Sequence, residues 1–214
     1  MMNTDDLILA LARDTKPVRT WHAAFGIVAA LVVAAAAAIA LIAIFIGDPL
    51  LGTRSVGVMT FGVKMAFTAS VLLLSAYLLY QAGRPGHEPR TGVPWLAAPF
   101  VLVAILAASA LANAPAGGAK ALIFGWSWQA CLASITLLSI PVYAGLVLAF
   151  RRLAAADLKL TGLLAGLASG STAALVYALH CPETSPAFLL IWYGLGITIA
   201  GLAGRAAGPH LLRW

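Results

Sequence analysis

Two cysteines, Cys131 and Cys181, are the residues of this 214-residue chain whose type and placement best suit chemistry. Paired thiols can form a disulfide if their α-carbons come within about 7 Å, and thiolates bind soft metal ions. A disulfide here would close a loop worth roughly 4 kcal/mol in the chain-entropy model. Alternatively, both residues act as small buried hydrophobes. The choice depends on the elements that carry them.

Three further side chains near Cys181 suggest a metal site. His180 and Glu183 lie close to Cys181 in the sequence, and Cys131 adds a second thiolate. Thiolates favour thiophilic ions such as Cd(II), Hg(II), Cu(I) or Zn(II). These four residues are therefore a candidate metal set, although they lack the CxxC spacing of a structural zinc site. We expect no required cofactor, and we expect any bound thiophilic ion to be transient.

The elements that hold these residues are apolar and long. The chain is 62% hydrophobic and 9% charged, with a mean hydropathy of +0.98, far from the composition of a soluble domain. A helix needs about 20 residues to cross a hydrocarbon core of roughly 30 Å. We predict an all-α integral membrane protein with a six-transmembrane-helix bundle in residues 21–214, its spans near residues 22–46, 60–81, 93–112, 126–150, 159–179 and 187–207.

The distribution of basic residues predicts the orientation of these spans. Ten of the thirteen Lys and Arg residues fall on one side of the predicted bundle and three on the other. The positive-inside rule then places both termini in the cytoplasm. Trp126 and Trp128 mark the outer end of the fourth span, as aromatic residues do at head-group level. Cys131 and Cys181 are therefore predicted to lie on the outer side, where they could meet.

Residues 1–20 are predicted to form a cytoplasmic tail. Thr4-Asp5-Asp6 is a good helix start, because a capping hydroxyl precedes acids that favour the positive end of the helix dipole. A short amphipathic helix from about residue 4 to residue 13 places Leu7, Ile8 and Leu11 on one face. Such a helix could rest on the bilayer, although its acidic start suits anionic lipid poorly.

Two features inside the spans carry further expectations. Lys64 is the one charge well inside an apolar segment, and we expect it to extend to the head groups or to pair with Asp48 or Glu183. The last two spans carry small residues at four-residue spacing, which favours close helix packing either within one chain or between two chains of a homodimer. These residues are Gly162, Gly166 and Gly170 in the fifth span, and Gly196, Ala200 and Gly204 in the sixth.

Several classes of function are disfavoured by the sequence. It has no nucleophile and base motif and no phosphate-binding glycine loop, so we do not expect an enzyme. The basic residues are spread over loop ends rather than gathered into a patch, so direct nucleic-acid binding is not expected. A small inner-membrane metal exporter and a membrane thiol oxidoreductase remain as alternatives, but the second usually needs a CxxC pair.

The chain resembles the NrsF family of membrane anti-sigma factors over its whole length. The resemblance runs from Thr4-Asp5-Asp6-Leu7-Ile8, through Ser127-Trp128-Gln129-Ala130-Cys131-Leu132, to the terminal Leu212-Arg213-Trp214. Its most specific part is the segment His180-Cys181-Pro182, followed by Trp192-Tyr193-Gly194.

This resemblance implies a multi-pass protein of the bacterial inner membrane that contacts lipid and holds an extracytoplasmic-function sigma factor inactive. It further implies transcription regulation in a stress response, with heavy metals or oxidants sensed at Cys131 and Cys181. The expected contact with the sigma factor is the acidic and apolar surface of the tail, because it suits the basic, helical surface of such a factor. Its residues would be Asp5, Asp6, Leu7, Ile8 and Leu11.

Overall fold

The protein is all helical over the part of the chain that its computed structural model describes, residues 20–84, 89–150 and 157–212, with side chains from residue 25. Six helical stretches are long and apolar enough to cross a membrane, as predicted. They are Phe25–Phe45, Val58–Ala82, Pro89–Ala112, Ala119–Phe150, Leu158–His180 and Pro186–Leu211.

The helices are numbered in chain order. The first four are α1 (Thr20–Phe45), α2 (Leu51–Ser55), α3 (Val58–Ala82) and α4 (Ala97–Ala112), the last preceded by a 3-10 helix at Pro89–Leu96. The next three are α5 (Ala119–Phe124), α6 (Trp128–Phe150) and α7 (Leu158–His180). The final stretch consists of α8 (Pro186–Phe188), a π-helical segment Leu189–Tyr193 and α9 (Gly194–Leu211).

Helix α7 is the centre of the bundle. In its most apolar window 78% of the residues are buried, against 22% for α1, and it contacts α1, α2, α3, α6 and α9. Its buried hydroxyls donate to carbonyls one turn back in the same helix, so they need no partner from another helix. The hydroxyl groups belong to Ser169, Ser171 and Thr172. A helix that carries several hydroxyl side chains can therefore occupy the core.

The small residues of α7 and α9 bring these two helices into backbone contact. A β-carbon on Gly162 would collide with the Gly204 carbonyl, and one on Gly166 would collide with the Ala200 carbonyl. The predicted close packing of the last two spans is thus confirmed at these positions. Gly196 differs, because a β-carbon there would meet Ile135 of α6. The result is an α7–α9 pair in close contact from Gly162 to Gly170 of α7.

The bundle has two ends with different chemistry. The cysteine end, defined here by Asp48, Trp126 and Cys181, also holds the start of α3 and the start of α6. The arginine end is defined by Arg90 and Asp157. Each end has its own cluster of buried side chains, with Cys131 and Cys181 in one and Leu78, Leu160 and Leu212 in the other. Helix α7 connects the two ends directly.

Candidate functional site: the cysteine end

Cys131 and Cys181 meet at the cysteine end. Cys131 lies in the first turn of α6, and Cys181 directly follows α7. Both are free and completely buried, they belong to one cluster of buried side chains, and Cys131 lies close enough to Cys181 to lower the pKa of its thiol. They meet because α6 begins where α7 ends. Two thiols in this arrangement can be oxidised together or can bind one soft ion between them.

Glu183 fastens the loop after α7 to the linker before α6. Its carboxylate accepts hydrogen bonds from the main-chain N–H of Trp126 at 2.9 Å and from the hydroxyl of Ser127 at 3.2 Å. Gly125, with φ +52°, leaves room for this carboxylate, since a β-carbon there would lie 2.5 Å from it. The two segments that carry the cysteines are thereby held together by a charged acceptor.

The ammonium group of Lys64, a residue of α3, lies at the C-terminal end of α7. Its ammonium donates a hydrogen bond of 2.8 Å to the main-chain carbonyl of Cys181, and the side chain is only 2% exposed. The last carbonyls of a helix have no partner within it and carry partial negative charge, so a cation there is favourable. The α7 terminus is therefore a partner of Lys64 that was not predicted from the sequence.

The expected ion pairs of Lys64 are not formed. Asp48 pairs with Arg54 at 3.1 Å, and Glu183 holds Trp126 and Ser127. Both carboxylates are therefore engaged by other groups at the cysteine end.

The last turn of α7 is also held from the side of α2. A β-carbon on Gly52 would approach the carbonyls of Cys181, Leu179 and Ala178 to within 2.8 to 2.9 Å. The imidazole of His180 donates through Nδ1 to the carbonyl of Asp48 at 2.7 Å, a direction fixed by the carbonyl being an acceptor only. The backbone around Cys181 is thus fixed by contacts on several sides.

The groups around Cys181 lower the pKa of its thiol. The Cys131 thiol donates to the Cys181 sulfur and so lowers the pKa of Cys181, while burial acts in the opposite direction. The nearby ammonium of Lys64 and the main-chain N–H of Glu183 lower this pKa further. The thiolate, the reactive and metal-binding form, is therefore favoured at Cys181.

Comparison with known proteins places this arrangement in a family. The sequence profile of NrsF, described as "Negative regulator of sigma F", matches residues 11–214. The chain belongs to the NrsF family. The matched region contains both cysteines and all six apolar stretches.

Two relatives carry the same family name. The NrsF-family chain is 35% identical to "Anti-sigma-F factor NrsF" of Caulobacter vibrioides over 224 aligned positions, which cover 100% of each protein. It is 34% identical to "Probable anti-sigma-F factor NrsF" of Azospira oryzae over 154 positions, 72% of each. No solved structure matches the chain. The functional class of this family is regulation of a sigma factor.

The four-residue metal set predicted for the NrsF-family chain is not assembled. Among the described residues, no three His, Cys, Asp or Glu side chains are placed to hold one metal ion. The reason is that His180 is bound to Asp48 and Glu183 is bound to Trp126 and Ser127. Cys131 and Cys181 are the two members that the structure brings together.

The predicted sigma-contact residues lie outside the described part of the chain. They are Asp5, Asp6, Leu7, Ile8 and Leu11, and the same holds for the whole predicted tail helix. Their role stays a prediction.

Sequence reasoning missed Tyr193 as a neighbour of the cysteines. It is fully buried, its hydroxyl has no hydrogen-bond partner within the described residues, and it lies close enough to Cys181 to influence that thiol. In the sequence, the Trp192-Tyr193-Gly194 segment stands out only as part of the family resemblance. A tyrosine hydroxyl inside an otherwise apolar helical stretch is the signal that the sequence offers.

Proposed function

We propose that this protein is a multi-pass membrane anti-sigma factor that holds an extracytoplasmic-function sigma factor and releases it when its cysteine pair reacts. Membership of the NrsF family supports the regulatory class. Six apolar helical stretches support membrane insertion, and the excess of Lys and Arg on one side supports cytoplasmic termini. In this orientation the cysteine end faces outwards from the bacterial inner membrane, and the arginine end faces the cytoplasm.

The observation that carries the sensing step is the contact between Cys131 and Cys181. A two-electron oxidant would take two electrons from the pair, the two thiols would lose their protons, and an S–S bond would form. A thiophilic heavy-metal ion would instead replace the protons and bridge the two sulfurs. Either event changes the junction between α6 and α7, where both thiols are now free and buried.

The α7–α9 pair is the element that would carry the change across the membrane. Helix α7 begins at Asp157, which accepts hydrogen bonds from the N–H groups of Lys159 and Leu160 and pairs with Arg90 at 3.0 Å. A shift of α7 at the cysteine end therefore moves the Asp157–Arg90 pair at the arginine end. For this to act as a switch, the signal must favour one of two conformations.

The sigma factor would bind on the cytoplasmic side, with Asp5, Asp6, Leu7, Ile8 and Leu11 of the tail as its contact. Acids around an apolar stripe complement a basic helical partner. Neither nucleic acid nor a resident cofactor takes part in this scheme.

Co-purification tests the proposal. The tagged full chain, extracted from unstressed membranes, is expected to retain an extracytoplasmic-function sigma factor, which mass spectrometry of the purified complex identifies. A chain lacking residues 2–13 and correctly inserted is expected to lose it. Absence of any complex with the full chain would contradict the anti-sigma function, whereas a complex with the shortened chain would move the contact surface elsewhere.

A further inference from the structure

A cavity of about 280 Å³ lies at the cysteine end, between the start of α3, helix α4 and the loop that follows Cys181. One part of its lining is apolar, from Met59 and Leu106, and another part comes from polar residues. The polar residues are Thr60, Lys64, Thr184 and Ser185. This combination of an aliphatic wall with a small polar corner suits an amphiphile better than it suits an ion alone.

Lys64 gives the polar corner its charge. The side chain is 2% exposed, and one of its three N–H donors is used on the Cys181 carbonyl. The ion pairs among the described residues are Arg54–Asp48 and Arg90–Asp157, so Lys64 has no carboxylate at ion-pair distance within them. The negative groups that face its ammonium within these residues are the carbonyl of Cys181 and, when it is ionised, the Cys181 thiolate, and a buried cation is more stable when it is fully paired. An anion in the cavity would complete this pairing.

The location of the cavity indicates where such an anion comes from. It lies near the end of apolar helices, at the level where Trp126 and Ser127 meet the loop after α7. Its rim includes Met59, whose side chain is 87% exposed and lies on a helix of membrane-spanning length. In a bilayer, phospholipid head groups and the first methylenes of their chains occupy this level.

We propose that this cavity binds an anionic phospholipid of the surrounding bilayer. Its phosphate lies against Lys64 and the hydroxyls of Thr60 and Thr184, and the upper part of one acyl chain runs along Met59 and Leu106. A volume near the lower limit of ordinary ligand pockets, roughly 300 Å³, accommodates the head group and not the whole lipid. This site requires membrane insertion but is independent of sigma-factor binding.

Lipid titration of the full chain tests the site. The protein, purified in neutral detergent, is exposed to phosphatidylglycerol or to phosphatidylcholine with the same acyl chains, and bound lipid is counted by native mass spectrometry. One cation near the head groups predicts a preference for phosphatidylglycerol of about fivefold. Equal retention of the two lipids would overturn the proposal. So would equally strong competition by glycerol 3-phosphate, because it would assign the cavity to a free phosphate.

Matched variants localise the binding. Lys64→Met is expected to remove the preference for phosphatidylglycerol, while Arg54→Met, which removes an exposed cation at the same end, is expected to keep it. Leu106→Trp fills the cavity without changing any charge and is expected to lower phosphatidylglycerol retention. If Lys64→Met does not fold, this variant tests whether the cavity binds the lipid. Unchanged lipid preference in a folded Lys64→Met protein, or unchanged retention in Leu106→Trp, would contradict the proposal.

Discussion

The carboxylate of Glu183 accepts a 2.9 Å hydrogen bond from the main-chain N–H of Trp126. This bond joins the segment that carries Cys181 to the segment that leads into Cys131. The sequence suggested Glu183 as a metal ligand, whereas in the structure it fixes the position of the two thiols relative to each other. The stability of the thiol pair therefore depends on a residue that is not part of it.

Removing this carboxylate is expected to expose the thiols. Glu183→Ala removes hydrogen bonds to a charged acceptor, which are worth about 1.5 kcal/mol or more, so the cysteine end should open about tenfold more often. The rate of maleimide labelling of Cys131 and Cys181 in purified protein measures this opening. Glu183→Gln keeps an acceptor oxygen and should label at an intermediate rate. Identical labelling of wild type and Glu183→Ala would show that the bond does not hold the loop.

Gly125 and Gly117 form a matched pair for the same contact. Both have positive φ, +52° and +81°, so alanine at either position is strained by about 1 to 3 kcal/mol. A β-carbon at 125 also meets the Glu183 carboxylate, whereas one at 117 has nothing within 4 Å. Gly125→Ala is therefore expected to lower the melting temperature more than Gly117→Ala. Equal melting temperatures would mean that the close approach of the Glu183 carboxylate to residue 125 does not affect the stability of the protein.

Two helical glycines, one inside the α7–α9 contact and one outside it, are expected to respond in opposite ways to replacement by alanine. Gly166→Ala drives a β-carbon into the Ala200 carbonyl and should destabilise the bundle by at least 1 kcal/mol. Gly62→Ala in α3 has open space around its β-carbon and should stabilise by up to about 1 kcal/mol through helix propensity. Thermal unfolding in one detergent compares them. A Gly166→Ala protein as stable as wild type would contradict the close approach.

The Asp157–Arg90 pair predicts a pH dependence at the arginine end. The N–H of Leu160, and next the Arg90 guanidinium, lower the pKa of Asp157 below its ordinary 3.8. A lowered folded-state pKa contributes stability that is present above about pH 4 and is lost as the pH falls through the folded value. Because the Asp157 side chain is 38% exposed, this contribution should stay below about 1 kcal/mol.

Asp157→Asn isolates that contribution. The asparagine amide still caps α7 but does not titrate. The melting temperature of the variant should therefore fall less than that of wild type between pH 5 and pH 2. Parallel pH profiles for the two proteins would contradict the assigned pKa shift.

Long apolar segments and loop charges were enough to predict the six helices, because a bilayer requires about 20 residues per span. They also predicted that Cys131 and Cys181 would share one end, since that follows from alternation alone. The partners of Lys64 and Glu183 could not be predicted this way. Each partner is a main-chain group, the carbonyl of Cys181 or the N–H of Trp126, and every residue offers such a group. Only the packing of α7 against α3 and α6 determines which main-chain group each of these two side chains contacts.

The most direct test of the account is sigma-factor retention on membranes treated with a thiol oxidant or a thiophilic metal ion. Membranes that contain the wild-type protein are expected to release the sigma factor on treatment, whereas Cys131→Ser and Cys181→Ser membranes are expected to retain it before and after treatment. Release from both cysteine variants at the wild-type level would contradict the account and would leave the thiol pair as a packing contact.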